Sequence, residues 1–79
     1  MTVGLEGKLF AVGKVAMWMV RADECISLEL LPGTVFVVLS HYTSSVGIEC
    51  VHALMFTAGG LFAALASVDD VIARSKELA

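Results

Sequence analysis

The side chains that could bind a metal ion or act as a nucleophile are two cysteines and two histidines: Cys25, His41, Cys50 and His52. Cys50 and His52 are two residues apart, so on a β-strand both would project from the same face. If Tyr42 pairs with Ile48 in a hairpin, His41 projects from the opposite face. Four ligands would then not converge on one tetrahedral zinc ion, and we predict no metal site.

These groups do not predict an enzyme either. Catalysis by a cysteine needs a general base within reach, a third group that orients this base, and a cleft. A chain of 79 residues has little room for a pocket, since ligand pockets usually enclose ~300 Å³ or more. The carboxylate pair Asp23-Glu24 is interpreted as a solvated loop, and Asp69-Asp70 as charge at the start of a helix. We therefore predict no catalytic residue and no bound cofactor.

The same side chains have structural interpretations. His41 is expected to pair across the hairpin with Glu49, as an exposed pair of small energetic effect. Cys25 and Cys50 are expected to be reduced and buried rather than bridged.

Met17-Trp18-Met19 is a second candidate feature, because on a strand Trp18 leaves by one face and both Met side chains by the other. We expect the Met pair in the core. Two interpretations of Trp18 stay open at this point. It packs over the stems of Lys8 or Lys14, or it anchors an interface, since Trp and Met are enriched at protein contacts.

Composition predicts a partner. The chain is 58% hydrophobic and 16% charged, whereas ordinary soluble domains have roughly 45–50% and about 25%. This excludes a disordered chain, and the net charge of −3 excludes a basic nucleic-acid-binding patch. A domain this small buries only ~60% of its unfolded surface, so many apolar residues must stay outside, and contiguous apolar patches usually mark interfaces.

Alternating patterns and turn residues predict mainly β structure. Strands are expected at residues 9–20, 34–42, 48–56 and 61–66, with a long polar loop at 21–31. Turns are expected at Leu31-Pro32-Gly33 (type II), at residues 43–47 and at Ala58-Gly59-Gly60. Ser67, three residues before Asp70, predicts the start of a helix over residues 67–78.

This order of elements resembles the SH3-like small β-barrels. The matching pieces are the L-P-G-T-V-F-V-V-L segment at residues 31–39, the hairpin at TSSVG, the Gly-Gly turn and the short D-D-V-I helix, while residues 21–31 take the place of the first long loop. The resemblance implies one domain over residues 1–79, a small barrel of about five strands with a short C-terminal helix. The aromatic peptide groove of signalling SH3 domains is missing, so proline-motif binding is not implied. SH3-like barrels also occur as structural parts of larger assemblies, including tailed-phage particles, and the resemblance implies a role of this kind.

The predicted hairpin is apolar on both faces, but a small barrel can fill its interior with only one. The face expected to point inward contains Val35, Val37, Leu39, Val51, Ala53 and Met55. The face expected to be covered by a partner contains Phe36, Val38, Tyr42, Ile48, Leu54 and Phe56. The predicted interaction surface is therefore Trp18, Phe36, Val38, Tyr42 and Phe56.

Two functions follow. The first is a non-enzymatic structural subunit, in the cytoplasm or in a virion, whose partners are other protein subunits and not nucleic acid. The second is a small single-span membrane protein, because residues 51–68 carry no formal charge and ~20 apolar residues span a bilayer. Arg74 and Lys76 follow this run as a cytoplasmic flank would, whereas His52 and Gly59-Gly60 interrupt it.

Overall fold

The computed structural model describes residues 5–21 and 26–78. Seven strands and one short helix follow each other as β1 (Leu9–Val12), β2 (Met17–Arg21), β3 (Ser27–Leu30), β4 (Val35–Thr43), β5 (Glu49–Thr57), β6 (Gly60–Ser67), α1 (Val68–Arg74) and β7 (Ser75–Glu77). The strands form one curled antiparallel half-barrel in the order β3-β2-β6-β5-β4-β1-β7. The predicted mainly β class is confirmed. The strand count is seven rather than about five, and the three differences have separate causes.

The first difference is that residues 9–20 form two strands instead of one. The break lies at Gly13, whose N–H donates to the carbonyl of Arg74 at 2.8 Å, so the chain there pairs with the end of α1. The break also reverses the alternation. Phe10 and Val12 face inward on β1 and Met17 and Met19 on β2, whereas one unbroken strand with the Met pair inward would have turned Leu9 and Ala11 toward the core.

The second difference is β3, which lies in the segment predicted as a loop. Leu30 pairs with Met17 and Leu28 with Met19 in a hairpin with β2. Leu30 is buried and Leu28 packs against the core. This otherwise polar stretch forms a strand because every second residue contacts the core. The predictions for Cys25 and for Asp23-Glu24 lie outside the described residues.

The third difference is at the C-terminus of the helix. Ser67 caps α1 as predicted, because its hydroxyl accepts the N–H of Asp70 at 3.2 Å. The helix ends at Arg74, not at residue 78. The next three residues form β7, which pairs with β1. Without β7, the outer backbone groups of β1 would form an unpaired sheet edge.

The predicted turns are confirmed. In the Pro-Gly turn Gly33 has φ +91° and the N–H of Thr34 donates to the carbonyl of Leu31 at 3.1 Å, as a type II turn requires. At the β4–β5 hairpin the N–H of Gly47 donates to the backbone carbonyl of Ser44 at 2.9 Å. Gly47 has φ +85°, which suits the left-handed position of a three-residue hairpin loop.

A β-bulge at Leu39 decides which residues of β4 face the core. Val38 pairs with Ala53, but the next pair along the strand is Ser40 with His52. The unpaired Leu39 reverses the alternation. On the N-terminal side of the bulge the even-numbered residues of β4 face inward, and on its C-terminal side the odd-numbered residues do.

The core lies on the concave face of the sheet, and α1 packs against it with Val68 and Val71. Its largest fully buried side chains are Met17, Met19, Phe36, Val38, Val51, Met55 and Val71. The rings of Phe10 and Phe36 stack with centroids 5.5 Å apart. The expected core position of Met17 and Met19 is confirmed.

The apolar run at residues 51–68 is not a continuous helix. It contains most of β5, a two-residue turn, β6 and the first residue of α1. Within the described parts of the chain, no helix has the length and apolar character needed to cross a membrane.

Candidate interaction surface

Two rows of apolar side chains cross the convex surface of the sheet, on the side away from the core. The first row follows the pairing of four strands, β1, β4, β5 and β6, through Leu9, Val37, Leu54 and Ala63. The second row follows the same strands through Ala11, Val35, Phe56 and Leu61. We name these eight residues the outer apolar face.

The outer apolar face is open to solvent. Leu9 and Phe56 are each 42% exposed and Leu61 is 61% exposed, while the other members are half-buried between neighbouring side chains. Leu39 and Val20 extend the apolar surface at its border, with exposures of 48% and 39%. Trp18, two residues beyond Val20 on β2, is 58% exposed. The apolar residues of this surface are therefore contiguous rather than scattered, and contiguous patches often mark interaction sites.

Charged side chains lie at the margins of this surface. Lys76 on β7 pairs with Ala11 at one edge, and Glu29 on β3 pairs with Trp18 at the other. All eight positions of the outer apolar face are uncharged, so a partner would bury it without burying an ionised group of this chain.

Three of the five residues predicted to form the interaction surface lie on the convex side. Trp18, Tyr42 and Phe56 are 58%, 38% and 42% exposed. Phe36 and Val38 have no exposed surface and belong to the core, so their predicted assignment to the covered face was wrong.

The Leu39 bulge explains that error. Val51, Ala53 and Met55 face inward as predicted, all fully buried. Without a bulge, Phe36 and Val38 would share a face with Tyr42. With it, Val35 and Val37 take the outward positions instead and Leu39 is 48% exposed, so the predicted inward position of all three was wrong. A bulge leaves no local signal in a strand whose two faces are equally apolar.

The tip of the β4–β5 hairpin carries a polar cluster around Glu49. The hydroxyl of Thr43 donates to Oε2 of Glu49 at 2.6 Å, and Nε2 of His41 lies 2.8 Å from Oε1 without the alignment of a hydrogen bond. The expected His41–Glu49 contact is confirmed, but the His41 side chain is only 8% exposed, so the pair is not the exposed one that was predicted. The contact is diagonal, because Glu49 pairs with Thr43 and His41 with Val51. The Thr43 hydrogen bond, together with the charge of His41, lowers the pKa of Glu49.

A cleft of about 140 Å³ opens at this tip, lined by Glu6, His41, Tyr42, Thr43 and Glu49. Its volume is well below that of common ligand pockets, which start at about 300 Å³.

Cys50 and His52 project from the convex side, opposite to His41, as the spacing predicted. Cys50 is a free, half-buried thiol that contacts the carbonyl of Ile48 at 3.5 Å. Burial, together with the neighbouring Cys50, raises the pKa of the Tyr42 hydroxyl. In residues 5–21 and 26–78, no three His, Cys, Asp or Glu side chains gather at a distance that would hold a metal ion.

Comparison of the chain with protein-family models, with curated proteins and with solved structures finds no significant match.

Proposed function

We propose that this protein is a non-enzymatic structural subunit that docks into a larger protein assembly through its outer apolar face. The observation that carries the proposal is the pair of uninterrupted apolar rows on the convex surface. The concave side already supplies the core of this chain, so a second apolar face has no use within one copy. Its burial against another protein would be favourable by ~25 cal/mol per Å² of apolar surface.

The proposal includes an SH3-like fold. What supports it is the order of the described elements: a first strand, a hairpin in the place of the first long loop, the Pro-Gly turn, a three-stranded meander, a short helix and a last strand. SH3-like barrels serve as structural pieces of tailed-phage particles, and a virion is the specific assembly that we propose. This step rests on analogy of fold.

The test is the mass of the complex that contains the chain. Tagged protein is extracted without denaturant from the cells that produce it, and its sedimentation velocity is measured. We expect the wild-type chain to sediment as part of a complex and not as a free chain of 8.3 kDa. Val37→Lys should release a folded free chain, because burying an unpaired ammonium costs several kcal/mol. A wild-type chain that sediments alone would contradict the proposal.

Two matched variants control this test. Val46→Lys places the same charge at the hairpin tip, where the residue is 77% exposed and away from the face, and should sediment like the wild type. Val38→Lys places it in the core, where Val38 has no exposed surface, and should lose its β circular dichroism spectrum. If Val37→Lys unfolds and Val38→Lys does not, the assignment of the two faces is reversed.

A further inference from the structure

We infer that the outer apolar face binds the same face of a second copy of this chain, so that two copies form a symmetric pair. The inference rests on the proposed function and names the partner in contact with this surface. In such an isologous contact, a residue of one copy that touches a second residue of the partner is itself touched by the partner in the reverse arrangement: if i contacts j, then j contacts i.

The composition of the face favours a second copy over a different protein. Homodimer interfaces are more apolar than interfaces between independent partners, which mix polar and charged groups into the contact. All eight positions of this face are apolar. A contact with itself needs no complementary charge, and this face offers none.

The area is that of a small interface. Aromatic side chains bury on the order of 150–250 Å² and aliphatic ones less, so with the observed exposures the face and its border leave roughly 500 Å² open on each copy. Two copies would bury at most about 1,000 Å² in total, which is the lower limit expected for a biological interface.

The sizes of the side chains fit a two-fold axis that runs parallel to the strands, between β4 and β5. This axis places β4 of one copy over β5 of the other, and β1 over β6. Each facing pair then joins a larger side chain to a smaller one: Leu9 on Ala63, Leu54 on Val37, Leu61 on Ala11 and Phe56 on Val35. Alternation of large and small residues across facing positions gives close packing between two sheets.

The experiment mixes two purified variants that cannot pair with themselves. Val37→Lys and Leu54→Glu should each sediment at equilibrium as a monomer, with self-association at least roughly a hundred-fold weaker than that of the wild type. Mixed together they should form a one-to-one pair, because the introduced ammonium of one chain faces the introduced carboxylate of the other. Mixing Val37→Lys with Leu54→Lys is the matched control and should leave monomers.

A second pair guards against misfolding of the first. Val35→Lys and Phe56→Glu lie in the neighbouring row and face each other across the same axis, and circular dichroism checks that each variant is folded. A wild-type chain that stays monomeric at about 100 µM, where a 1 µM dimer would be nearly complete, would overturn the second-copy inference. A dimer in which neither opposite-charge mixture pairs would overturn the two-fold geometry.

A photo-crosslinking residue in place of Leu61 separates this inference from the proposed function. In the producing cells, a product of twice the chain's mass supports the second copy. A product of any other mass overturns the second copy and keeps the docking proposal, and no product at Leu61 contradicts both. The same residue in place of Val46 is the control and should give no product.

Discussion

At the scale of single residues, Glu49 shows how the hairpin tip is held. The hydroxyl of Thr43 donates to the carboxylate and lowers its pKa below the ordinary value of 4.5, with the charge of His41 acting in the same direction. Because the folded-state pKa is below the unfolded one, the ionised carboxylate stabilises the fold above pH 4.5. This stabilisation is lost as the pH falls through the lowered folded-state pKa.

We therefore predict that Thr43→Val raises the pKa of Glu49 toward its ordinary value, measured by NMR titration of the Glu49 carboxyl carbon. The urea midpoint should fall slightly at pH 7, and this difference from the wild type should vanish in acid. Thr57→Val is the control, since that hydroxyl donates to Gly60 instead. An unchanged Glu49 pKa in Thr43→Val would show that the hydrogen bond does not set it.

Neighbouring residues on β4 also show where prediction from sequence ends. Val37 and Val38 have the same side chain, and both strands of the hairpin are apolar on both faces. Hydrophobic alternation therefore identified the strand but not its inward side, since the position of the Leu39 bulge decides that. Trp18 was easier to place. Met17 and Met19 share one face of the strand, so burying this pair in the core leaves Trp18 on the outer face.

At the scale of elements, turns and caps were predicted best because their signals are local. The Pro-Gly turn, the hairpin loop and the Ser67 cap each depend on the conformation of one or two residues. The end of α1, the break at Gly13 and strand β3 depend on pairing with distant segments, which no local pattern contains. The predicted covered face already contained Leu54 and Phe56, and the strand register identified the other six members of the outer apolar face.

Ser67→Ala is expected to lower the free energy of unfolding by ~1 kcal/mol, because the N–H of Asp70 loses its acceptor at the start of α1. Ser67→Asp keeps an acceptor and should stay close to the wild type. Urea denaturation measures both. Equal losses in the two variants would mean that the cap does not stabilise the helix.

Gly47→Ala tests the hairpin loop. The added Cβ would meet no atom within 4 Å, so the loss comes from the backbone alone: φ is +85°, and a left-handed conformation costs a non-glycine residue ~1–2 kcal/mol. Gly59→Ala is the comparison, because Gly59 lies outside that region and its Cβ would make ordinary contact with Phe62 at 3.8 Å. Thermal unfolding should show a clear decrease for Gly47→Ala and a smaller change for Gly59→Ala.

At the scale of the whole molecule, β7 joins the two ends of the described chain. Phe10 pairs with Glu77, and the N–H of Leu78 donates to the carbonyl of Leu9 at 2.8 Å. Lys8 and Glu77 form an exposed ion pair at 3.6 Å, which adds little by itself. Backbone pairing is therefore the main contribution of β7.

Truncation after Arg74 is expected to lower the thermal midpoint by about 10 °C or more, since several hydrogen bonds at ~0.5–1.5 kcal/mol each are lost. Glu77→Ala removes only the ion pair and should change the midpoint by a degree or two. Circular dichroism melts compare the two. If they have the same midpoint, the pairing of β7 with β1 does not stabilise the fold.

Sheet order also sets the order of events as the chain folds. β4, β5 and β6 are consecutive both in the chain and in the sheet, whereas β1, β2 and β7 reach their positions only through contacts between distant segments. Because distant contacts form slowly, we expect the β4–β5–β6 meander to be the folding nucleus. Six of the eight residues of the outer apolar face lie on it. A chain that has not yet closed its core already presents its docking surface, so binding of a second copy competes in time with the completion of folding.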